Sequence, residues 1–302
     1  MTTNSFKNLL SKSFFIIAAA LLLNSCNSNS DVTSDGKDTV SVSENEKNQK
    51  TENIFYSIPS PVELGQLMQR AGITYKKQLL HSPDHVSKYS STNSKALNLG
   101  VYGADLSYTT ISGQVQEAML YLNAAKKLAE ELGITDAFSQ ETMKQMENNE
   151  GNMDSLLQII SESYVASNEA LKENQRSNIS ILVIAGGWIE VLYIGTQVAK
   201  TTVDNIKIID LIAEQRGTLN NLVSLLETKS DDEGVSAILN ELKGIKEIYD
   251  ETPSNTSKAE ITTDPHTNII TIGGSSQYTL TKDQLEKITK KVESLRTQII
   301  NF

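Results

Sequence analysis

The segment Ile179–Ile194, ISILVIAGGWIEVLYI, constrains the fold of this chain more than any other feature. It is apolar on nearly every side of a helix, and it contains a pair of glycines and one acid, Glu190. The run is shorter than the roughly 20 residues that a helix needs to span a bilayer, and an acid within a membrane is costly. We therefore expect a helix buried at the centre of a folded domain rather than a transmembrane span.

Amphipathic helices accompany this apolar segment along the chain. The clearest has apolar residues at steps of three and four, which is the spacing of one helix face: Val115, Ala118, Leu122, Ala125, Ala129 and Leu132. Further helices of this kind are predicted to start near Pro61, Asn152, Ile209, Val235 and Thr281. Each of these helices has one apolar face that must be buried against another element. A helix that is apolar on all sides can pack against several such faces at once. The sequence therefore predicts an all-α fold, either a multi-helix bundle or stacked helical hairpins.

One stretch near the C-terminus departs from the helical pattern. The short runs Ile269–Ile272 and Gln277–Leu280 flank the sequence Gly-Gly-Ser-Ser. Runs rich in β-branched and aromatic residues around glycines are typical of paired strands. We predict a small β-hairpin near residues 268–280.

The N-terminus has the order of a bacterial export signal. A basic start with Lys7 and Lys12 precedes the apolar run Phe14–Leu23, and the sequence Leu-Asn-Ser-Cys then ends at Cys26. An apolar stretch of this length is typical of a secretory signal peptide. The cysteine at its end resembles the lipobox of bacterial lipoproteins, in which the thiol accepts a diacylglyceryl group. The alternative is an ordinary secretory signal followed by a chance cysteine.

These features divide the chain into three predicted parts: a lipoprotein signal peptide at 1–25, a lipidated flexible tether at 26–52 and a single helical domain at 53–302. The tether has few large apolar residues and cannot bury enough surface to offset the entropy of ordering. Asn27 is not the aspartate that retains lipoproteins at the inner membrane in some bacteria, so we expect the outer membrane. The acids of the tether are dispersed, which leaves the periplasmic and the surface-exposed face both open.

Charge and cysteine content restrict the partners. The chain has 37 acidic and 27 basic residues, a net charge of −10. Such a chain repels the phosphates of nucleic acid, so we expect no nucleic-acid partner. It has no basic patch for an anionic lipid surface, so the acyl chains must hold it to the membrane. Cys26 is the only cysteine, and its lipidation leaves no thiol for a disulfide or a cysteine-based zinc site.

Two segments of the chain share a pattern that suggests a pocket. Asp105 and Glu190 each precede a tyrosine by three residues, so that acid and tyrosine lie on one helix face. Glycines and another aromatic residue lie close by in both segments. One hypothesis is a central pocket with the two acids as its polar floor; the alternative is that each acid is satisfied within a structural core. The candidate pocket residues are Tyr102, Asp105, Tyr108, Trp188, Glu190 and Tyr193.

The sequence offers no established catalytic or metal-binding motif. It contains no phosphate-binding loop, nucleophile elbow, HExxH or EF-hand pattern. His81 and His85 are ligand types for a metal, but Pro83 between them prevents the helical spacing that would aim both imidazoles at one ion. A polar turn is the expected structure there. We therefore predict no metal site, no cofactor and no catalytic residue.

Two stretches resemble a family of helical lipoproteins from Bacteroidota. They are Tyr56–Pro61, YSIPSP, and Lys95–Tyr108, KALNLGVYGADLSY. The resemblance implies an envelope location and a helical fold, and it carries neither an activity nor any functional residue.

Location, acidity and the lack of catalytic motifs favour an envelope lipoprotein that acts as a non-catalytic binding or scaffold module. Its partner is expected to be an envelope protein or a small apolar ligand. Two alternatives stay open: a hydrolase or other enzyme with a carboxylate site at Asp105 and Glu190, and a carrier of an apolar ligand within the bundle.

Overall fold

Helices make up nearly all of the secondary structure that the computed structural model describes, which covers Gln49 and residues 51–201, 206–251, 260–263, 270–273 and 280–301. From Pro61 onward the α-helices are α1 (Pro61–Arg70), α2 (Thr92–Ile111), α3 (Val115–Glu131), α4 (Gln140–Asn148), α5 (Met153–Glu173), α6 (Ser177–Thr201), α7 (Ile206–Glu227), α8 (Glu233–Asp250) and α9 (Lys282–Ile300). Short 3-10 helices lie at Lys77–Leu79, Pro83–Lys88 and Asp136–Phe138. The predicted all-α class is confirmed. The predicted signal peptide, Cys26 and nearly all of the tether lie outside the described residues.

Helix ends follow the local sequence. Capping boxes form at two of the predicted helix starts: the Ser60 hydroxyl accepts the N–H of Glu63 while the Glu63 carboxylate accepts the N–H of Ser60, and Thr281 and Gln284 do the same at the start of α9. These reciprocal bonds satisfy two backbone donors that a helix start leaves free. Helix α3 ends before Gly133, which has a φ of 72° that favours glycine.

Helix α6 contains the apolar segment and is buried along most of its length. It is long and apolar enough to cross a membrane, but 94% of its most apolar window is buried inside the fold. Its longest contact in the described structure is with α2, and α7, α9 and α5 also pack on it. Trp188 of α6 is 2% exposed. The predicted central position of this helix is confirmed.

The contact between α2 and α6 depends on glycines on both helices. A Cβ atom at Gly100 would lie 2.0 Å from the carbonyl oxygen of Val183, and one at Gly186 would lie 2.0 Å from that of Leu97. Cβ atoms do not approach oxygen that closely, so only glycine permits this crossing. At Gly187 the added atom would lie 3.1 Å from Pro61 Cγ, a tight contact. Helices α2 and α6 therefore cross closely, with Gly100 and Gly186 as the tightest points of the crossing.

The other helices cover the central pair. Helix α3 lies along α2, α5 packs on both α2 and α6, and α1 fits against the same two helices. Helices α7 and α8 pack together, and α9 contacts α6, α8 and α2. This arrangement is a multi-helix bundle around two buried helices.

A two-stranded antiparallel hairpin precedes α9 in the sequence. Strand β2 (Ile270–Gly273) coincides with the first strand predicted near residues 268–280. Its partner is β1 (Glu260–Thr263), upstream of it, with Ile261 opposite Ile272. The expected partner was Gln277–Leu280, of which only Leu280 lies within the described residues. The hairpin therefore lies earlier in the chain than the sequence pattern indicated.

Candidate functional site

Asp105 and Glu190 meet in the interior of the bundle. Glu190 lies one helical turn beyond the glycines of α6, and Asp105 lies about one and a half turns beyond Gly100 of α2. Both side chains are completely buried. The close helix crossing thus places two carboxyl groups where their charges interact strongly.

Arg296 of α9 provides the positive charge of this cluster. Its guanidinium donates to both carboxylate oxygens of Glu190 at 2.9 Å, and a further bond of 3.3 Å reaches the carbonyl oxygen of Leu79. The guanidinium carbon also lies 4.5 Å from the ring centre of Tyr193, a cation–π contact. Glu190 is therefore an ionised carboxylate in a bidentate ion pair.

Asp105 has a different environment from Glu190. Burial, followed by the negative charge of Glu190, raises the pKa of Asp105 well above its ordinary value, while Arg296 and the His81 backbone act in the opposite direction. Oδ2 accepts the N–H of His81 at 3.1 Å, and among the described residues Oδ1 has no well-formed hydrogen bond. A proton on Oδ1 would remove the repulsion between the two carboxyl groups. The geometry thus favours a neutral Asp105 beside an ionised Glu190.

His81 links this pair to two buried tyrosines. Its ring stacks on Tyr102 with 5.3 Å between ring centres, and its Nε2 shares a hydrogen bond with the Tyr89 hydroxyl. That hydroxyl is also within hydrogen-bond distance of the carbonyl oxygen of Ile300, at 3.3 Å. Burial, and then the charge of Arg296, lower the pKa of His81 to about 3. With neutral His81 and Asp105, the charges of the cluster cancel.

The six residues of the predicted pocket fall into separate environments. Tyr102, Asp105, Glu190 and Tyr193 belong to this buried cluster. Tyr108 donates to the carbonyl oxygen of Thr74 at 3.0 Å, near the end of α1, and Trp188 donates to Gln215 of α7 at 3.2 Å. The two acids have no solvent exposure, so their surroundings are a closed polar core and not a solvent-reachable cleft.

Arg296 and His81 complete the cluster, although neither was among the predicted pocket residues. The sequence does contain a signal for Arg296: Thr289, Val292, Arg296 and Ile299 recur at three- and four-residue steps, and all four are buried. An arginine on the inner face of a helix indicates a buried acid opposite it. His85 has its ring centre 5.2 Å from that of His81. Among the described residues, no three His, Cys, Asp or Glu side chains converge in a way that could hold a metal ion.

The surface of the bundle contains an open groove that is separate from the buried cluster. It has a volume of about 690 Å³ and runs between the segment before and within α1 and the first half of α5, with Ile184 of α6 behind it. We call it the acidic groove, because its charged lining residues are all carboxylates: Glu63, Asp154 and Glu162. Its apolar lining residues are Phe55, Tyr56, Ile58, Val62, Leu157, Tyr164, Val165 and Ile184.

A second concavity of about 440 Å³ lies beside α3 and differs in charge. Its lining includes two lysines and two acids, and Lys77 Nζ lies 2.8 Å from Glu117 Oε1. Its second lysine, Lys127, donates to the hydroxyl of Ser87 at 2.7 Å. This mixed groove therefore carries both signs of charge and contains one internal ion pair, whereas the charged lining residues of the acidic groove have one sign.

A small apolar cavity of about 40 Å³ lies inside the bundle next to the acidic groove. It shares Val62 and Tyr164 with the groove lining, and Gly103 of α2 faces open space there. Its volume is well below the roughly 300–1,000 Å³ of a typical ligand pocket.

Comparisons of the chain with protein-family profiles, with curated proteins and with solved structures find no match. Function is therefore inferred from the geometry of the described residues.

Proposed function

We propose that this chain is a lipid-anchored protein of the outer membrane that acts as a non-catalytic binding module, with the acidic groove as its binding surface. The observation that carries the proposal is the groove itself: it is open to solvent, it lies in the size range of ligand sites, and it combines apolar side chains with a few charged ones. The signal sequence and Cys26 support the envelope location, and the resemblance to helical lipoproteins of Bacteroidota agrees with it.

The enzymatic alternative at Asp105 and Glu190 has less support. A general acid or base must come within hydrogen-bond reach of its substrate. Both carboxyl groups are fully buried, Glu190 is held by Arg296, and Asp105 accepts the His81 N–H. Substrate would reach them only if the elements packed around the cluster moved apart. The cluster is better explained as a charged core that ties these three helices together.

The carrier alternative also has little support from the interior. The apolar cavity of about 40 Å³ has room for about one or two small groups and is far too small for an acyl chain. Native mass spectrometry of the full-length protein tests this alternative directly. A ligand retained at a fixed mass would favour a carrier over a protein-binding module.

The anchor is tested by labelling growing cells with a clickable fatty-acid analogue. The parent chain should be labelled, and Cys26→Ser should abolish the label while the protein is still made. Labelling that persists in Cys26→Ser would remove lipid attachment from the proposal.

The groove is tested in the same cells by site-specific photocross-linking. A photoreactive residue at Gln158, an exposed groove position, should give a discrete cross-linked partner. The same residue at Glu214, exposed on α7 and outside the groove lining, is the matched control. Equal cross-linking from both positions, or none from Gln158, would contradict a binding role for the groove.

A further inference from the structure

We infer that the acidic groove binds a cationic, amphipathic polypeptide segment of a partner protein. The inference rests on the proposed binding role of the groove and names the chemistry of its partner. The charge of the groove and its exposed apolar surface each support it.

The charge of the groove has one sign. Its lining contains Glu63, Asp154 and Glu162, and no lysine, arginine or histidine. Glu63 accepts one bond from the Ser60 N–H and Glu162 accepts one from Gln158, which leaves each carboxylate with further acceptor capacity. Within the described part of the chain, no hydrogen bond or ion pair engages the Asp154 carboxylate. Like-signed carboxylates in a concave site attract a cation and raise its rate of association.

The groove also exposes apolar surface. Tyr56 and Val165 line it and are 57% and 42% exposed. Leu157 and Ile58 are buried below them. Exposed apolar residues grouped within a concavity and rimmed by charge are typical of interaction sites. A purely polar cation such as a metal ion or a small polyamine would leave this surface uncovered, so the partner needs apolar side chains as well.

An aromatic pair at the groove already holds a cation from the protein itself. The Lys172 ammonium lies 3.3 Å from the ring centre of Phe55 and 4.8 Å from that of Tyr56. These contacts show that the ring faces attract an ammonium group. Because Lys172 already occupies these ring faces, a cationic side chain of a partner would bind through the carboxylates of the groove.

Charge disfavours two other polypeptides as occupants of the acidic groove, namely the predicted tether and a second copy of this chain. The predicted tether has more acidic residues than lysines, and a second copy of the chain carries a net charge of −10. Both would bring negative charge to a negative groove, and like charges brought together at an interface oppose binding. A cationic partner is the occupant that the groove complements.

The test uses the full-length protein in a non-ionic detergent and a fluorescent peptide of leucine and lysine. The peptide has about 14 residues, roughly four turns of an amphipathic helix. Two matched peptides replace every lysine by glutamate or every leucine by serine. Fluorescence anisotropy should show binding of the leucine–lysine peptide only, and raising salt from about 50 to about 300 mM should weaken it several-fold.

Paired variants assign the binding to the groove. Asp154→Asn with Glu162→Gln should weaken the peptide about tenfold, while Asp210→Asn with Glu214→Gln makes the same charge change on the exposed face of α7 and should have no effect. Val165→Ser should weaken binding, and Leu120→Ser, at an exposed apolar residue of the mixed groove, should not. Thermal melts of all variants confirm that each is folded.

The experiments distinguish a failure of the inferred cationic partner from a failure of the proposed binding function. Equal binding of the lysine and glutamate peptides, or equal loss in the α7 control, overturns the cationic partner. No peptide binding together with a cross-linked partner at Gln158 also overturns the cationic partner but leaves the groove as a binding surface. Peptide binding by a groove that gives no cross-link in cells supports the chemistry and contradicts the proposed function.

Discussion

The guanidinium of Arg296 donates two hydrogen bonds to the carboxylate of Glu190, from Nε to Oε2 and from Nη2 to Oε1, each 2.9 Å long. Glu190 has no solvent exposure, and the Arg296 side chain keeps 10%. The two residues lie on the central helix α6 and on α9, the last helix of the chain. The buried charge of α6 is therefore neutralised by an element from the far end of the sequence.

Removing one member of this pair leaves the other buried and uncompensated. Arg296→Met should therefore lower the free energy of unfolding by about 3–5 kcal/mol, and Glu190→Met should be similarly harmful. The double variant should regain most of that loss, because two apolar side chains need no ion pair. Urea unfolding of the four proteins measures the coupling; a value below about 0.5 kcal/mol would show that the two residues act independently. Lys290→Met, which breaks an exposed ion pair with Glu286, is the control and should change little.

The raised pKa of Asp105 makes stability depend on pH. Its ordinary value is 3.8, so above that pH the unfolded chain releases a proton that the folded chain retains. Stability from this group is full below 3.8 and is lost as the pH rises toward the folded pKa, by about 1.4 kcal/mol per pH unit. Asp105→Asn has no such proton, so it should gain stability relative to the parent as the pH rises from about 4 to about 7.

His81 gives the opposite dependence. Its pKa falls from 6.5 in the unfolded chain to about 3 in the fold, so stability is full above 6.5 and is lost as the pH drops toward 3. Between 3.8 and 6.5 the contributions of the two groups oppose each other. Asp105→Asn should therefore become more acid-sensitive than the parent, and His81→Gln more sensitive to rising pH. Parallel curves of urea midpoint against pH for all three proteins would rule out this pair of titrations.

Glycines of α2 and α6 should differ sharply in their tolerance of alanine. Gly186→Ala places a Cβ 2.0 Å from the Leu97 carbonyl oxygen and must push α2 and α6 apart, at a cost of about 1–3 kcal/mol or more. Gly103→Ala adds a Cβ to open space within α2 and should stabilise the protein by about 0.5–1 kcal/mol through helix propensity. Thermal melts of both variants decide the matter. Destabilisation by Gly103→Ala would mean that the space beside it is needed.

Two substitutions of Trp188 measure separately the contributions of its packing and of its hydrogen bond to Gln215. Trp188→Ala should cost about 3–5 kcal/mol, because the side chain is 2% exposed and fills the space between α6 and its neighbours. Trp188→Phe keeps much of the ring but loses the bond to Gln215, so a smaller cost of about 1–3 kcal/mol is expected. Chemical denaturation measures both. A melt of Trp188→Ala within a degree or two of the parent would place the residue outside the core.

The sequence predicted the helices that have one apolar face. Helix α3 and its end before Gly133, and the capping boxes that start α1 and α9, follow from local rules that need no knowledge of the partners. The central position of α6 also followed, because a helix apolar on all sides has nowhere else to lie.

Helix α2 was harder to read because it is buried on most sides yet carries many polar residues. Ser107, Thr109 and Thr110 are buried, and each hydroxyl donates to a backbone carbonyl oxygen of its own helix three or four residues earlier. Bonds of this kind hide polar groups within the helix and blur the apolar period. Which residue would satisfy Glu190 was not predictable either, since Arg296 lies about a hundred positions further along the chain.

The last helix also holds the chain's first half in place through its carboxyl end. Asn98 donates to the carbonyl oxygen of Ile299, and Tyr89 donates to that of Ile300. A polypeptide emerges from synthesis or export with its N-terminus first, so α2 and α6 become available before Arg296 does. Until then the middle of the bundle holds an uncompensated carboxylate, and assembly must wait for the final helix. Truncation by a single terminal helix should therefore leave a chain that quality-control proteases remove, although most of its core residues would still be present.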